Sequence, residues 1–368
     1  MMSFYDVIEK YRNFDFDGYL NNVTDNDVLR SLSKDKLEDF DILNLLSKTA
    51  VKHLEAMAQK AHKLSVQYFG KTVCLYTPMY IANYCVNQCV YCSYNIKSGI
   101  KRKKLTMDEI REEGEAISKE GFKHLLVLTG ESSFHSSVEY IGEAIEILRE
   151  KFPSIGIEVY PMEVEEYKYI VDKGVEGLTV YQETYDEEIY KRVHIKGPKS
   201  NYKFRLDAPE RGAKAGMRTL SIGALLGLND FRKETFFTIL HGKYLKTKYP
   251  YIELSYSTPR MRPFKGCFEE LVDISDTDLV QAMVCMRLFD PHAAINISTR
   301  ENLEMRSHII PLGVTKLSAG VSTDVGGHSQ DEHDTAQFKI NDESTVKDVE
   351  KMLNSIGYQH VFKDWERF

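Results

Sequence analysis

Eight short apolar runs, each separated from the next by helix-forming sequence, constrain this chain more than anything else in it. They lie at 72–81 (TVCLYTPMYI), 124–131, 155–162, 177–184, 219–228, 251–260, 293–301 and 314–320. Strands apolar on both faces belong to a parallel sheet covered by helices. Eight such units predict an α/β chain closed into a (β/α)8 barrel of the TIM type, with an open doubly wound sheet as the alternative. The intervening stretches carry helix starts. Thr106 and Glu109 form a capping-box pattern, and Ser275 or Asp276 precedes the apolar-periodic run Leu279 to Phe289. Before the first strand, Leu46, Ala50, Leu54, Met57, Ala61 and Leu64 recur at three- and four-residue steps, the period of one amphipathic helix. The expected division is a helical extension over 1–70, the barrel over 71–320 and a segment closing the barrel over 321–368. No internal repeat or low-complexity linker divides it further.

Composition narrows the class. With 368 residues, 42% of them hydrophobic and 28% charged, the chain can fill a large core. No window approaches 18 uninterrupted apolar residues, and the N-terminal stretch carries acids throughout, so the expectation is a cytoplasmic protein with no membrane association. A net charge of −7 lacks the footprint of a nucleic-acid binder. The basic run Lys101–Lys104 reads as a solvated loop or as a patch facing an anionic partner.

Three of the six cysteines, Cys85, Cys89 and Cys92, sit together in CVNQCVYC, just past the first strand and with Tyr91 before the last. A structural zinc site wants four ligands in paired motifs, which do not follow here. Three thiolates suit an iron–sulfur cube whose fourth iron stays open to another molecule. A reducing compartment fits that use of cysteine, and Cys74, Cys267 and Cys285 read as core or incidental thiols.

In a barrel, chemistry gathers at the C-terminal ends of the strands. There the chain places Gly130 and Glu131, Glu158 and Tyr160, Gln182 and Glu183, the run GALLGLND, Ser257 and Arg260, Ser298 and Arg300, and Ser318 and Gly320.

The cysteine spacing with its aromatic resembles the radical S-adenosylmethionine (SAM) family. The resemblance implies a 4Fe-4S cluster on Cys85, Cys89 and Cys92, with SAM on the open iron and Tyr91 beside it. Thr129, Gly130 and Glu131 stand where the family has a Gly-Gly-Glu type motif for the SAM ammonium, with Thr129 replacing the first glycine. Gly223 to Asp230 looks like a loose form of the family's adenine-packing motif, with Leu226 among its apolar residues. Glu183, with Gln182 or Glu158, would hold the ribose, and Arg205 or Arg211 the SAM carboxylate. Ser298 and Arg300, with Arg260 in the same mouth, match an amino acid carboxylate; the bland alternative pairs Arg300 with Glu301 or Glu304 outside the barrel.

The stretch YQETYDEEIYKRVHIKGPKSNYKFRLDAPERGAKAGMRTLSIGALLGLND, then STPRMRP, STRE, SAGVSTDVGGH and the closing QFKINDES…KDWERF, are similar to the tyrosine lyases that act as 2-iminoacetate synthases in thiamine thiazole biosynthesis. That likeness implies cleavage of the Cα–Cβ bond of L-tyrosine by a 5′-deoxyadenosyl radical made from SAM, giving 2-iminoacetate and 4-cresol, with methionine and 5′-deoxyadenosine. It also implies an electron donor of the flavodoxin or ferredoxin type, and a thiazole synthase complex that takes the product. The sister lyase of iron–iron hydrogenase maturation adds a second cysteine cluster, for which only Cys267 and Cys285 remain here. Two other readings stay open: a radical lyase for another aromatic amino acid, and a non-catalytic iron–sulfur scaffold. His328, Asp331 and His333 read as a lid or partner-facing loop rather than a metal site. His194 reads as a helix-end residue rather than a proton donor.

Overall fold

The computed structural model describes residues 3–266, 268, 271–330 and 334–363. Among these described residues are nine strands: β1 Thr72–Ala82, β2 His124–Thr129, β3 Ser154–Glu158, β4 Gly177–Glu183, β5 Thr219–Ala224, β6 Glu253–Ser257, β7 Ala294–Ile297, β8 Lys316–Ser318 and β9 Gln359–Val361. The first eight run in sequence order round a ring, and pairing of β1 with β2 closes it. Every pairing is parallel. Closure decides for the (β/α)8 barrel over an open sheet.

All eight expected strands are present, and several stop short of their expected C-terminal ends. β3 ends at Glu158, although the apolar run continues to Met162, and β5 ends at Ala224, although its run continues to Leu228. Val159, Met162, Leu225, Leu226 and Leu228 are buried all the same. Hydrophobicity persists past the strand because the connecting loops fold back over the mouth of the barrel.

The single amphipathic helix expected over Leu46 to Leu64 is instead two helices, Asp39–Leu46 and Leu54–Phe69, joined by a tight turn at Thr49–His53. Ser47 breaks it: its backbone is extended, with ψ 160°, and its hydroxyl accepts the Ala50 N–H. Three further helices precede the pair. The layer is tied to the barrel by polar contacts. The Gln281 amide donates to the carbonyls of Leu45 and Ser47, and Arg232 to that of Leu46.

The expected capping box forms at Thr106–Glu109, and of Ser275 and Asp276 it is Ser275 that caps its helix, in a box with Asp278. After β8 the chain crosses the mouth. Tyr80 donates its hydroxyl to Gln337, Asn341 N–H bonds to the Thr299 carbonyl, and a buried Arg306–Asp342 pair anchors the crossing. Helix Val346–Ser355 follows, and β9 then adds to the lower part of β1, with Thr72 opposite Gln359. No helix among the described residues is long and apolar enough to cross a membrane.

Candidate active site

The cysteine loop leaves β1 and is held from beneath. Arg102 donates to the carbonyls of Asn83, Tyr94 and Asn95 at 2.7, 3.1 and 2.7 Å, and Asn83 answers with bonds to Lys101 and Lys103. The basic run therefore organises the loop. Lys104 lies over the Tyr140 ring. On the other side, residues 88–90 pair antiparallel with 193–196: Val90 N–H bonds to Val193 O at 3.0 Å, and Gln88 N–H to Lys196 O at 2.8 Å.

Cys89 is buried, while Cys85 and Cys92 are half-buried; all three are free thiols. Burial pushes each thiol up, Cys92 to about 11, and Lys199 opposes the rise at all three. The Tyr94 N–H donates to Cys92 Sγ at 3.4 Å, the kind of outer contact that tunes a ligating sulfur. Among the described residues, no three or more His, Cys, Asp or Glu converge as they would round a single ion. Thiolates that each take a different iron of a cube do not need to meet at a point, so this donor set fits the cluster.

Tyr91 has its own support. Its hydroxyl lies 2.7 Å from His194 Nε2, while His194 Nδ1 lies 2.9 Å from the Tyr190 carbonyl. A carbonyl only accepts, so Nδ1 carries the proton and Nε2 accepts from Tyr91. Burial, helped by the Lys199 and Arg205 charges, holds the imidazole pKa well below its ordinary value. His194 caps the C-terminal end of helix Glu187–Val193, the helix-end place read from sequence, and serves there as a neutral positioning group.

Beside the loop lies a compact charge network. Glu131 accepts from Asn87 Nδ2 and from Arg205 Nη1, both at 2.8 Å, and Lys199 Nζ stands 2.8 Å from Glu183 and 3.7 Å from Glu131. Burial works against ionisation of Glu131, but Lys199 and Arg205 outweigh it and hold the carboxyl below its usual range. Glu183 adopts a left-handed φ of 71° at a register shift between β4 and β5, a strained conformation of the kind found at functional sites. Gly130 is dictated by space: a Cβ there would meet the Tyr84 carbonyl oxygen at 2.4 Å. Thr129 Oγ1 and both amide atoms of Gln182 are buried without a hydrogen-bond partner, so the ends of β2 and β4 keep polar groups in reserve for a ligand.

The cavity above the barrel has about 970 Å³ of empty space, part of it open to solvent. Cys92, Tyr91, Lys199, Ser298, Arg300 and Phe338 all line it. The Arg300 guanidinium lies 3.7 Å from the Phe338 ring centre and donates one bond to the Arg260 carbonyl at 3.1 Å. Arg300 is among the residues that line the cavity. Burial lowers its pKa, and Glu158 shares the cavity with a carboxyl pushed up to about 7 by burial and by the Glu183 charge.

Most residues singled out from sequence come together here; three do not. Arg260 is spent on Glu301, on Asp276 and on the Ile274 carbonyl, outside the cavity. Arg262, not anticipated, joins the same Glu301 and does reach the cavity wall. Glu301 thus pairs with Arg260 and Arg262 and leaves Arg300 to the site. Arg211 stacks on Phe204 and donates to the carbonyls of Met162 and Phe204, so of the two arginines weighed, Arg205 is the one beside Glu131 and Glu183. Leu226 is buried below Pro259, and Leu225 is the leucine that lines the cavity. Asn87, Lys199 and Arg102 were missed, since single polar residues in loops carry no motif. His328 bonds to Glu113 and to the Pro78 carbonyl, while Asp331 and His333 lie outside the described residues.

A closed parallel barrel, a three-thiol loop on its first strand and a deep cavity at the strand ends define a cluster-dependent barrel enzyme. Residues 79–239 match the Radical SAM superfamily, and residues 257–359 match the Biotin and Thiamin Synthesis associated domain. The chain is 36% identical over 362 residues to 2-iminoacetate synthase of Salmonella typhimurium, covering 97% of this chain and 96% of the relative. It is 36% identical over 364 residues to 2-iminoacetate synthase of Escherichia coli, covering 98% and 97%. The crystal structure of HydG, a maturase of the FeFe-hydrogenase, superposes with a TM-score of 0.90 at 28% identity, covering 96% of this chain and 80% of HydG. This chain belongs to the 2-iminoacetate synthase family of radical SAM enzymes.

Proposed function

We propose that this chain is a radical SAM carbon–carbon lyase that splits L-tyrosine at Cα–Cβ into 2-iminoacetate and 4-cresol, for the thiazole of thiamine. The observation that carries the reading is one cavity lined by Cys92 and Tyr91 together with Ser298 and Arg300. Cys85, Cys89 and Cys92 would hold one 4Fe-4S cluster. That cluster, with SAM, supplies reductive cleavage of the sulfonium and a 5′-deoxyadenosyl radical able to take hydrogen from the substrate.

The chain's own residues do the rest. Arg300, already fixed against Phe338, offers its free N–H groups to the tyrosine carboxylate, and Ser298 adds a hydroxyl. Glu131 and Glu183, held by Arg205 and Lys199, present fixed negative charge and acceptors to the cationic cosubstrate. Phe338 and Gln337, from the crossing segment, close the mouth against water. The balanced conversion takes L-tyrosine, the SAM cation, two electrons and one proton to 2-iminoacetate, 4-cresol, methionine and 5′-deoxyadenosine.

Anaerobic incubation of cluster-reconstituted protein with SAM, L-tyrosine and dithionite, followed by mass spectrometry, tests the reading. Tyrosine-dependent 5′-deoxyadenosine, 4-cresol and glyoxylate, the hydrolysis product of 2-iminoacetate, are expected. 5′-Deoxyadenosine without 4-cresol would show that the substrate is another amino acid. Because 2-iminoacetate hydrolyses, direct transfer to a thiazole synthase in the same reducing, cytoplasmic compartment suits the chemistry. Failure of the two proteins to co-purify at low salt would count against a stable complex.

A further inference from the structure

When the charged groups around the cavity are paired off, one of each sign is left over. Its lining includes two carboxylates, Glu158 and Glu183, and three cations, Lys199, Arg262 and Arg300. Glu183 is paired with Lys199 and Arg205, and Arg262 with Glu301. Arg300 and Glu158 remain. Among the described residues, no side chain forms an ion pair with either, and none donates a hydrogen bond to the Glu158 carboxyl.

Strand geometry puts Glu158 in this position. It is the last residue of β3, opposite Leu128 on β2, and the alternation of a barrel strand turns Gly156 and Glu158 to the same, inner side. Gly156 lines a pocket lower in the barrel, and Glu158 lines the cavity above it. The groups that face the carboxyl are accounted for. Burial and the Glu183 charge raise its pKa, while Arg300, Lys199 and Arg205 oppose the rise. The Tyr76, Tyr80 and Tyr181 hydroxyls near it are pushed up in turn and stay neutral. Two of them are engaged elsewhere, since Tyr76 accepts from Asn296 and Tyr80 donates to Gln337. A carboxyl left without a donor at a cavity wall is poised for one that a ligand brings.

Resting on the lyase reading above, we propose that Glu158 receives the α-ammonium of the substrate and takes one proton from it, while Arg300 holds the carboxylate. One cation and one carboxyl complement the two charges of an α-amino acid, and the phenol ring carries neither. The chemistry calls for a base at this place. Nitrogen enters as an ammonium without a lone pair and leaves double-bonded to carbon in 2-iminoacetate, so it has to shed a proton before that bond can form. In the transfer one ammonium N–H bond breaks, one carboxyl O–H bond forms, and no electron is gained or lost. Burial that raises a carboxyl lowers an ammonium, and both shifts favour an acid beside a free amine over an ion pair.

The test reads binding and protonation in reconstituted, SAM-loaded enzyme without reductant, so that nothing turns over. Calorimetry compares L-tyrosine with 3-(4-hydroxyphenyl)propanoate, its analogue without the amino group. Glu158→Gln keeps the side chain's size. It should weaken tyrosine binding roughly 10- to 150-fold, the worth of a hydrogen bond to a charged group, and leave the analogue and SAM within about twofold of wild type. Wild-type affinity for tyrosine should fall about tenfold per unit as pH drops below about 7, where the carboxyl already carries a proton, and the variant should lack this fall. In infrared difference spectra taken at about pH 8, where the free carboxyl is ionised, tyrosine should raise the carbonyl band of a protonated carboxyl in wild type and not in the variant. Absence of that band in wild type overturns the proton transfer. Equal losses for tyrosine and the analogue overturn the ammonium contact, and so does a loss confined to SAM, which would assign Glu158 to the ribose. A wild type that binds another amino acid in place of tyrosine strikes instead at the substrate of the lyase reading, and that amino acid with its own des-amino form then decides the role of Glu158.

Discussion

Single residues in this site are fixed by geometry that a substitution can probe. Gly130 packs its Cα against the backbone of Asn83 and Tyr84, and backbone cannot move aside as a side chain would. Gly130→Ala should cost about 1–3 kcal/mol in urea unfolding of the cluster-free protein, and should lower the iron bound after reconstitution, because the displaced backbone leads directly into Cys85. Arg300 makes a different prediction. Its charged fork against a carboxylate is worth about 1.5–3 kcal/mol, so Arg300→Ala should raise the tyrosine KM roughly 10- to 150-fold. Iron content should stay as in wild type; a fall in iron content would mean that Arg300 supports the loop rather than the substrate. The cysteines, Arg300 and Ser298 were visible in sequence because each ends a strand or belongs to a dense motif. Lys199 was not, since its position depends on the turn at Gly197, whose φ of 105° folds the chain back onto Asn87.

At the scale of elements, strands were readable because burial on both faces writes a continuous apolar run. Their ends were less so, because the loops over the mouth are buried too. β9 escaped notice: three residues, Gln359–Val361, with a half-polar pattern, become a strand only because the lower half of β1 offers a free edge. Arg260 and Arg300 stand at comparable strand ends, and only the three-dimensional position of Glu301 tells them apart. The same limit applied to the basic run after the cysteines, where charge suggested solvent and Arg102 proved to be a brace. Removing that brace frees three carbonyls at once. Arg102→Ala should therefore speed the loss of iron to a chelator several-fold, followed by the fall in cluster absorbance, while Lys104→Ala, on the same run but over the Tyr140 ring, should leave the rate unchanged.

For the whole molecule, the response of stability to pH depends on two buried groups that one helix, Phe231–Lys248, carries into the contact between barrel and N-terminal layer. Glu234 accepts from Thr184, Asn229 and the Tyr185 N–H, and burial pushes its carboxyl up to about 7. His241 stacks on Phe4 and meets the Tyr185 hydroxyl at 3.1 Å, and burial pulls its pKa down to about 3. The two act in opposite directions. A carboxyl raised in the folded state contributes stability that is complete below its unfolded value near 4.5 and is lost as pH rises toward 7. A histidine lowered in the folded state contributes stability that is present above its unfolded value near 6.5 and is lost as pH falls toward 3. Between about pH 4.5 and 6.5, each slope is about 1.4 kcal/mol per pH unit and the signs oppose, so the pair leaves stability nearly level. Glu234→Gln removes the carboxyl's share. The variant should therefore lose about 1.4 kcal/mol per unit, relative to wild type, as the cluster-free protein is taken from pH 6.5 to 4.5 in urea unfolding. A difference between the two proteins that stays constant across that window would show that Glu234 is ionised in the fold, and that the three hydrogen bonds it accepts overcome the cost of its burial.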